Sequence, residues 1–151
     1  MNTITAKNAA QQDFMPLMRE LVRAYQAFAS LDAQLHRASG TGLTVSQADV
    51  IFTLGNTPGM CCGEIGERTL ITKGTLTGVL DRLAQKGLVQ RSQDPRDGRS
   101  TKISLTAKGR AVFEREFPRQ VAALKQRFDR LSPAQRKRGI ALLQEIRAIF
   151  E

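Results

Sequence analysis

Asp94-Pro95-Arg96-Asp97-Gly98-Arg99 is a short charged loop between two strand-like runs, and its guanidinium groups suit the narrow, electronegative minor groove of duplex DNA. About twenty residues upstream, Thr72 to Leu83 reads as a helix. A 100° step places Leu76, Val79, Leu80 and Leu83 on one side and centres the other on Gly74 and Gly78. Thr75, Thr77 and Arg82 flank the glycines, Lys73 stands near the helix start, and Asp81 and Gln85 lie further along the outward face. Each interior glycine costs roughly 1 kcal/mol relative to alanine. Two on an exposed face require a reason, and close approach to another surface supplies one; a weak surface helix is the plainer alternative. In a major groove, threonine methyls would meet thymine methyls while Arg82 or Lys73 met phosphates. Asp94 and Asp97 would then orient the loop arginines.

The bulk properties are consistent with a polyanionic partner. The 151 residues carry 23 Lys and Arg against 14 Asp and Glu, a formal charge of +9, with a pI near 10.4. Nucleic acid is the first candidate, an anionic membrane surface the second, and plain solubility the third reading. No run approaches the ~18 apolar residues of a membrane span, and the N-terminus lacks a basic-then-apolar secretory pattern, so a cytoplasmic protein is expected. Cys61 and Cys62 are too few for a disulfide framework and too close together for a zinc ribbon. With His36 as the sole histidine, neither a metal site nor a cofactor is expected.

The elements that must position these groups follow from periodicity and capping. Phe14, Leu17, Met18, Leu21, Tyr25, Phe28 and Leu35 recur at helical steps, with Pro16 tolerated near the start, and Ser39-Gly40-Thr41-Gly42 ends that helix. Ser46 is positioned to cap the amide of Asp49, with Val45 and Val50 as a hydrophobic staple, and Pro58-Gly59 closes the second helix. A short helix is expected around Glu64 to Thr69, a tight connection through Leu70-Ile71, and Thr72 as the next cap. Leu88 to Arg91 and Thr101 to Leu105 read as strands, the second with Thr101, Ile103 and Leu105 inward and Lys102 and Ser104 outward. Thr106 caps a helix towards Arg130, bent near Pro118. Ser132, Pro133 and Gln135 form a capping box before a last helix striped by Ile140, Leu143, Ile146 and Phe150.

Gly87-Leu88-Val89, the Asp-Pro-Arg-Asp-Gly-Arg loop and Ser104-Leu105-Thr106-Ala107-Lys108-Gly109, in this order of helices, resemble the MarR/SlyA-type winged helix-turn-helix regulators. The resemblance implies a mainly α fold with a small β-wing. It assigns an N-terminal dimerisation helix to residues 1–42, a winged helix-turn-helix lobe to 43–105 and C-terminal dimerisation helices to 106–151, within one compact domain. It implies a homodimer on a pseudo-palindromic DNA operator, with half-sites about one turn (~34 Å) apart. Thr72 to Leu83 becomes the recognition helix, Arg96 the minor-groove arginine, and Arg99 a brace for the wing against Asp81. Two departures stand out: Leu70 occupies a turn where glycine is common, and Gly78 a position where a longer polar side chain often reads bases. The second implies greater reliance on wing contacts and DNA shape.

The resemblance also implies control by a small aromatic or anionic ligand that discriminates between two spacings of the DNA-reading lobes. Met18, Tyr25, Phe28, His36 and Phe52 are the candidate lining, with Arg23 as anion partner; ordinary helix packing is the competing reading, and His36 could instead be a favourable charge at a helix C-terminus. A second mechanism is thiol redox sensing at Cys61 and Cys62, just before a helix whose N-terminus would favour a thiolate. Against it, small residues commonly begin helices, adjacent cysteines form a strained bridge, and the family's peroxide sensors use a cysteine in the N-terminal helix. A non-specific nucleic-acid-binding architectural protein would also be small and basic, but would need no wing; an RNA binder would more often expose aromatics than a chain with one Tyr and no Trp. An enzyme is not expected: the chain shows no P-loop, nucleophile elbow or metal-binding His-Glu pattern, and no convincing carboxylate pair.

Overall fold

The computed structural model describes residues 3–69, 71–95 and 97–151. A short 3-10 turn, Ala9–Gln11, precedes α1 (Met15–Ala38) and α2 (Val45–Leu54). There follow β1 (Met60–Cys61), α3 (Cys62–Thr69), α4 (Lys73–Gln85), β2 (Val89–Gln93), β3 (Thr101–Leu105), α5 (Ala107–Phe128) and α6 (Pro133–Ala148). The chain forms two compact units, one ending at Val45 and the other running from Ser46 to Glu151.

The first unit is dominated by α1, whose second residue is Pro16, tolerated there because no intrahelical partner is lost in the first turn. Leu17, Met18, Val22, Tyr25 and Phe28 are exposed along it. His36 is buried, with Nε2 3.5 Å from Asp32 Oδ1. Beyond the helix, Ser39 Oγ donates to the His36 carbonyl at 2.7 Å, and Gly40 and Gly42 both take φ of 69°.

The second unit holds the apolar core. Val50, Ile51 and Leu54 from α2, Ile65 from α3, Leu76, Leu80 and Leu83 from α4, and Ile103 and Leu105 from β3 are all buried. The sheet has the order β1-β3-β2, antiparallel throughout, pairing Met60 with Ile103, Val89 with Leu105 and Gln93 with Thr101. Phe113 and Phe117 of α5 stack at 5.1 Å between ring centroids, and Phe52 of α2 meets Phe117 at 5.2 Å. Glu116, buried on α5, accepts from Arg115 Nε at 2.6 Å.

Several elements depart from the sequence reading in physically legible ways. The second helix starts at Val45, so Ser46 lies inside its first turn instead of capping it. The third starts at Cys62, two residues before Glu64, and Met60–Cys61 adds a strand that the sequence reading lacks. β2 continues to Gln93, past the expected Arg91, because pairing with Thr101 and Lys102 holds its polar end. Thr101 is exposed, not inward: at the far end of the ladder the sheet has outrun the core. Thr72 is the N-cap residue of α4, but its side chain caps no backbone amide; its Oγ1 donates to Thr75 Oγ1 at 3.1 Å. α5 contains Pro118 in its interior and ends at Phe128, two residues short of Arg130.

The other caps follow local chemistry. Ser132 Oγ accepts the Gln135 N–H at 3.2 Å while Gln135 Oε1 accepts the Ser132 N–H at 2.7 Å. Thr106 Oγ1 accepts the Gly109 N–H at 3.0 Å and donates to the Gly87 carbonyl at 2.6 Å, locking the start of α5 to the end of α4's turn. That lock explains Gly109: a Cβ there would stand 2.0 Å from the Leu88 carbonyl oxygen. Gly109→Ala is therefore expected to destabilise the fold by about 1–3 kcal/mol, the range for overpacking, despite alanine's better helix propensity. A urea denaturation midpoint that stays put or rises would contradict this close approach.

Candidate nucleic-acid interface

The helix-turn-helix is built from α3 and α4. Thr69 Oγ1 donates to the Ile65 carbonyl at 2.7 Å and accepts from the Ile71 N–H at 3.4 Å, which turns the chain out of α3. Leu70, the expected departure in this turn, lies outside the described residues. On α4, Leu76, Val79, Leu80 and Leu83 are packed into the core, at most 9% exposed. Lys73, Gly74, Thr75, Thr77, Gly78, Asp81, Arg82 and Gln85 are exposed, as is Thr72 before them.

Nothing among the described residues requires the glycines on that outward face. A Cβ built on Gly74 or Gly78 meets no atom within 4 Å, and neither residue has a positive φ. Gly55 shows the contrast, since a Cβ there would lie 2.2 Å from the Phe113 ring. Internal packing thus explains Gly55 and Gly109 but leaves the pair on α4 unexplained, although each weakens its helix.

The wing consists of β2, β3 and the turn joining them. Asp94 N–H donates to the Ser100 carbonyl at 3.0 Å and Ser100 N–H to the Asp97 carbonyl at 2.9 Å. Asp97 Oδ1 accepts the backbone N–H of Arg99 at 3.0 Å, so this carboxylate orders the turn's main chain where the sequence reading had it orient a guanidinium. Arg99 is exposed, and Arg96 lies outside the described residues. Asp81 is engaged by Arg91, whose Nη2 donates to Oδ1 at 2.7 Å. This tie from β2 to α4 is the brace to Asp81 expected of Arg99, made instead by Arg91. Both partners are about half exposed, so the pair contributes at most about 1 kcal/mol and serves chiefly to register the wing against the helix.

At the other edge of the sheet, Glu64 Oε2 accepts the Cys61 N–H at 2.9 Å, the reciprocal half of a capping box. Hydrogen bonds from Cys61, its backbone N–H foremost, hold the Glu64 carboxyl below the usual range. Other cations are occupied with the scaffold: Lys108 Nζ donates to the Lys86 carbonyl at 2.9 Å, and Arg110 Nη1 to the Gly55 carbonyl at 3.3 Å.

Met18, Tyr25 and Phe28 are exposed on α1, and Arg23 on the same helix pairs with Glu20 at 2.7 Å. His36 is buried beside Asp32, and Phe52 joins the aromatic cluster of α5. Cys61 and Cys62 are half-buried free thiols. Among the described residues no group of three or more His, Cys, Asp and Glu could hold a metal ion, and no helix is long and apolar enough to cross a membrane.

A helix with one packed apolar side and one open glycine and threonine side, preceded by a helix and turn and followed by a β-wing tied to it, defines a winged helix-turn-helix DNA-binding lobe. The MarR family model matches residues 43–101. The uncharacterized HTH-type transcriptional regulator YkoM of Bacillus subtilis is 30% identical over 134 residues, which span 87% of this chain and 84% of YkoM. Among solved structures, a probable transcriptional regulator from Pseudomonas aeruginosa is 31% identical with a TM-score of 0.65, covering 82% of this chain and 93% of that one. BpsR from Bordetella bronchiseptica, whose DNA binding is regulated by 6-hydroxynicotinic acid, is 27% identical with a TM-score of 0.73, covering 96% and 97%. The chain belongs to the MarR family and is a DNA-binding transcriptional regulator.

Proposed function

We propose that the protein is a homodimeric repressor that reads a pseudo-palindromic operator in duplex DNA and is released by a small aromatic or anionic ligand. The observation that carries the DNA-reading part is the outward pair Gly74 and Gly78, open on a helix whose other side is fully packed. Without side chains at these positions the helix backbone can approach the base edges, flanked by Thr72, Thr75 and Thr77 and by Lys73 and Arg82 for phosphates. With no long side chain at Gly78 to read a base, specificity falls more heavily on the wing arginines, Arg96 and Arg99, and on DNA shape. Asp81, Asp94 and Asp97 support that wing.

The homodimer reading rests on apolar side chains left exposed within each unit, Val22 and Phe28 along α1 in the first and Ile140 and Leu143 along α6 in the second. Ligand release rests on the BpsR relative. Its candidate residues are Met18, Tyr25, Phe28 and His36 of the first unit and Phe52 of the second, and Arg23, which gives Glu20 a hydrogen bond from Nη1, keeps further guanidinium N–H groups for an anion.

Fluorescence anisotropy with the DNA upstream of the protein's own gene, against scrambled DNA of equal length over a range of salt, tests the reading. A regulator is expected to prefer its operator by ~10³ or more. Arg96→Ala is expected to weaken binding and flatten the salt dependence by about one phosphate contact; affinity unchanged at every salt would remove Arg96 from the interface. If neither the upstream DNA nor any duplex selected from a random pool is preferred, the protein is a general DNA binder and the operator reading fails.

A further inference from the structure

We propose that Cys61 and Cys62 form a dithiol site for a trivalent arsenic centre carrying an apolar organic group. Adjacent residues within a strand point to opposite faces. Here Cys61 ends β1 and Cys62 begins α3, and at this change of backbone geometry both residues border one pocket of about 600 Å³. Both thiols are free and half-buried. Gly63 and Gly66 line the pocket without side chains, Ile71 and Leu76 contribute apolar surface, and Glu67, Lys73 and Thr101 are its polar lining. The hydrogen bond from Cys61 N–H to Glu64 fixes the junction that carries the two sulfurs.

The donor set determines the class of ligand. A thiophilic metal ion usually takes three or four protein ligands, and among the described residues no such cluster exists. An organoarsenical needs only two: its third bond is already made to carbon. In the reaction, an arsine oxide, R–As=O, meets two S–H groups. Two S–As bonds form, the As=O bond breaks, and both thiol protons leave with the oxygen as water. Arsenic stays trivalent throughout, so no oxidant or reductant is needed. The group R then occupies the apolar part of the pocket against Ile71 and Leu76.

The pocket also touches the start of α4 at Lys73. An occupant therefore presses on the packing of α3 against the recognition helix and lowers DNA affinity. That coupling, unlike the site itself, rests on the DNA-reading function proposed above.

Phenylarsine oxide added to the native full-length protein should give, by intact-mass spectrometry, one phenylarsine adduct per chain with loss of one water. The adduct should survive a monothiol wash in the wild type and be lost in both Cys61→Ser and Cys62→Ser. In the folded protein the preference for phenylarsine oxide over arsenite should exceed that in the urea-unfolded chain by about tenfold or more, the effect of burying the ring. No adduct on the native chain, a wash-resistant adduct in either single variant, or equal preference in folded and unfolded chains would overturn the site. An adduct that leaves operator affinity unchanged would overturn the coupling alone. Failure of the untreated protein to bind operator DNA would instead count against the DNA-reading function.

Discussion

Gly78→Glu is expected to lower operator affinity by about two orders of magnitude or more, roughly 2.7 kcal/mol, while leaving the fold at least as stable as before. The two halves of that expectation have separate causes. Within the chain, the new side chain enters open space, since a Cβ on Gly78 meets nothing within 4 Å. Glutamate also favours a helix interior over glycine by roughly 0.5–1 kcal/mol, so the urea midpoint should hold or rise. Against DNA, the same side chain holds the backbone away from the base edges and places a carboxylate beside phosphates. A single mismatched base pair typically costs about 1–3 kcal/mol, and a displaced helix disturbs more than one. Gly78→Ala separates bulk from charge: it should share the gain in stability and lose less affinity. Anisotropy titration beside urea denaturation measures both halves. A folded Gly78→Glu protein that binds its operator normally would mean that this face of α4 does not meet DNA.

What could be read from the sequence and what could not divide by the range of the interactions. The capping box of Ser132 and Gln135 and the cap at Thr106 are closed within three residues, so local residue types sufficed. The packed side of α4 was equally legible, because a helix's period alone sorts Leu76, Val79, Leu80 and Leu83 from Gly74 and Gly78. β1 was not legible: Met60 and Cys61 are a strand only because they pair with Ile103 and Lys102, far along the chain. The polar end of β2 was missed for the same reason, being held by its ladder and not by any apolar alternation. The tie to Asp81 depended on the register of the wing. Both Arg91 and Arg99 carry the right charge, and only the strand pairing puts Arg91 within reach. As for the site, helical period alone sorts the outward residues of α4, but the open space around its glycines, set against the filled space at Gly55 and Gly109, is a property of the folded chain.

The double substitution Ile140→Asp with Leu143→Asp is expected to raise the dimer dissociation constant by ~10³ or more without unfolding the DNA-binding lobe. α6 has no buried residue in the single chain. Ile140 is 59% exposed and Leu143 58%, three residues apart and so on one face of the helix. Beyond them Ile149 and Phe150 are more exposed still. A run of this kind is unusual on a monomer's surface and is what a helical dimer interface would bury. Covering a fully exposed side chain of this size is worth roughly 1.5–3 kcal/mol; with each about three-fifths exposed and present once in each of two protomers, the four together are worth about 3–7 kcal/mol before any cost of burying the new carboxylates. The lobe's core, Ile51, Leu54, Ile65, Leu76 and Leu80 among it, lies elsewhere in the sequence and is left intact. The variant should therefore sediment as a folded monomer in the micromolar range where the wild type is a dimer. Its affinity for a full operator should fall towards that for a single half-site, because the second lobe no longer binds at the high effective concentration that linkage gives it. A variant that remains dimeric would move the interface off this face of α6, and a wild type that sediments as a monomer would end the homodimer reading altogether.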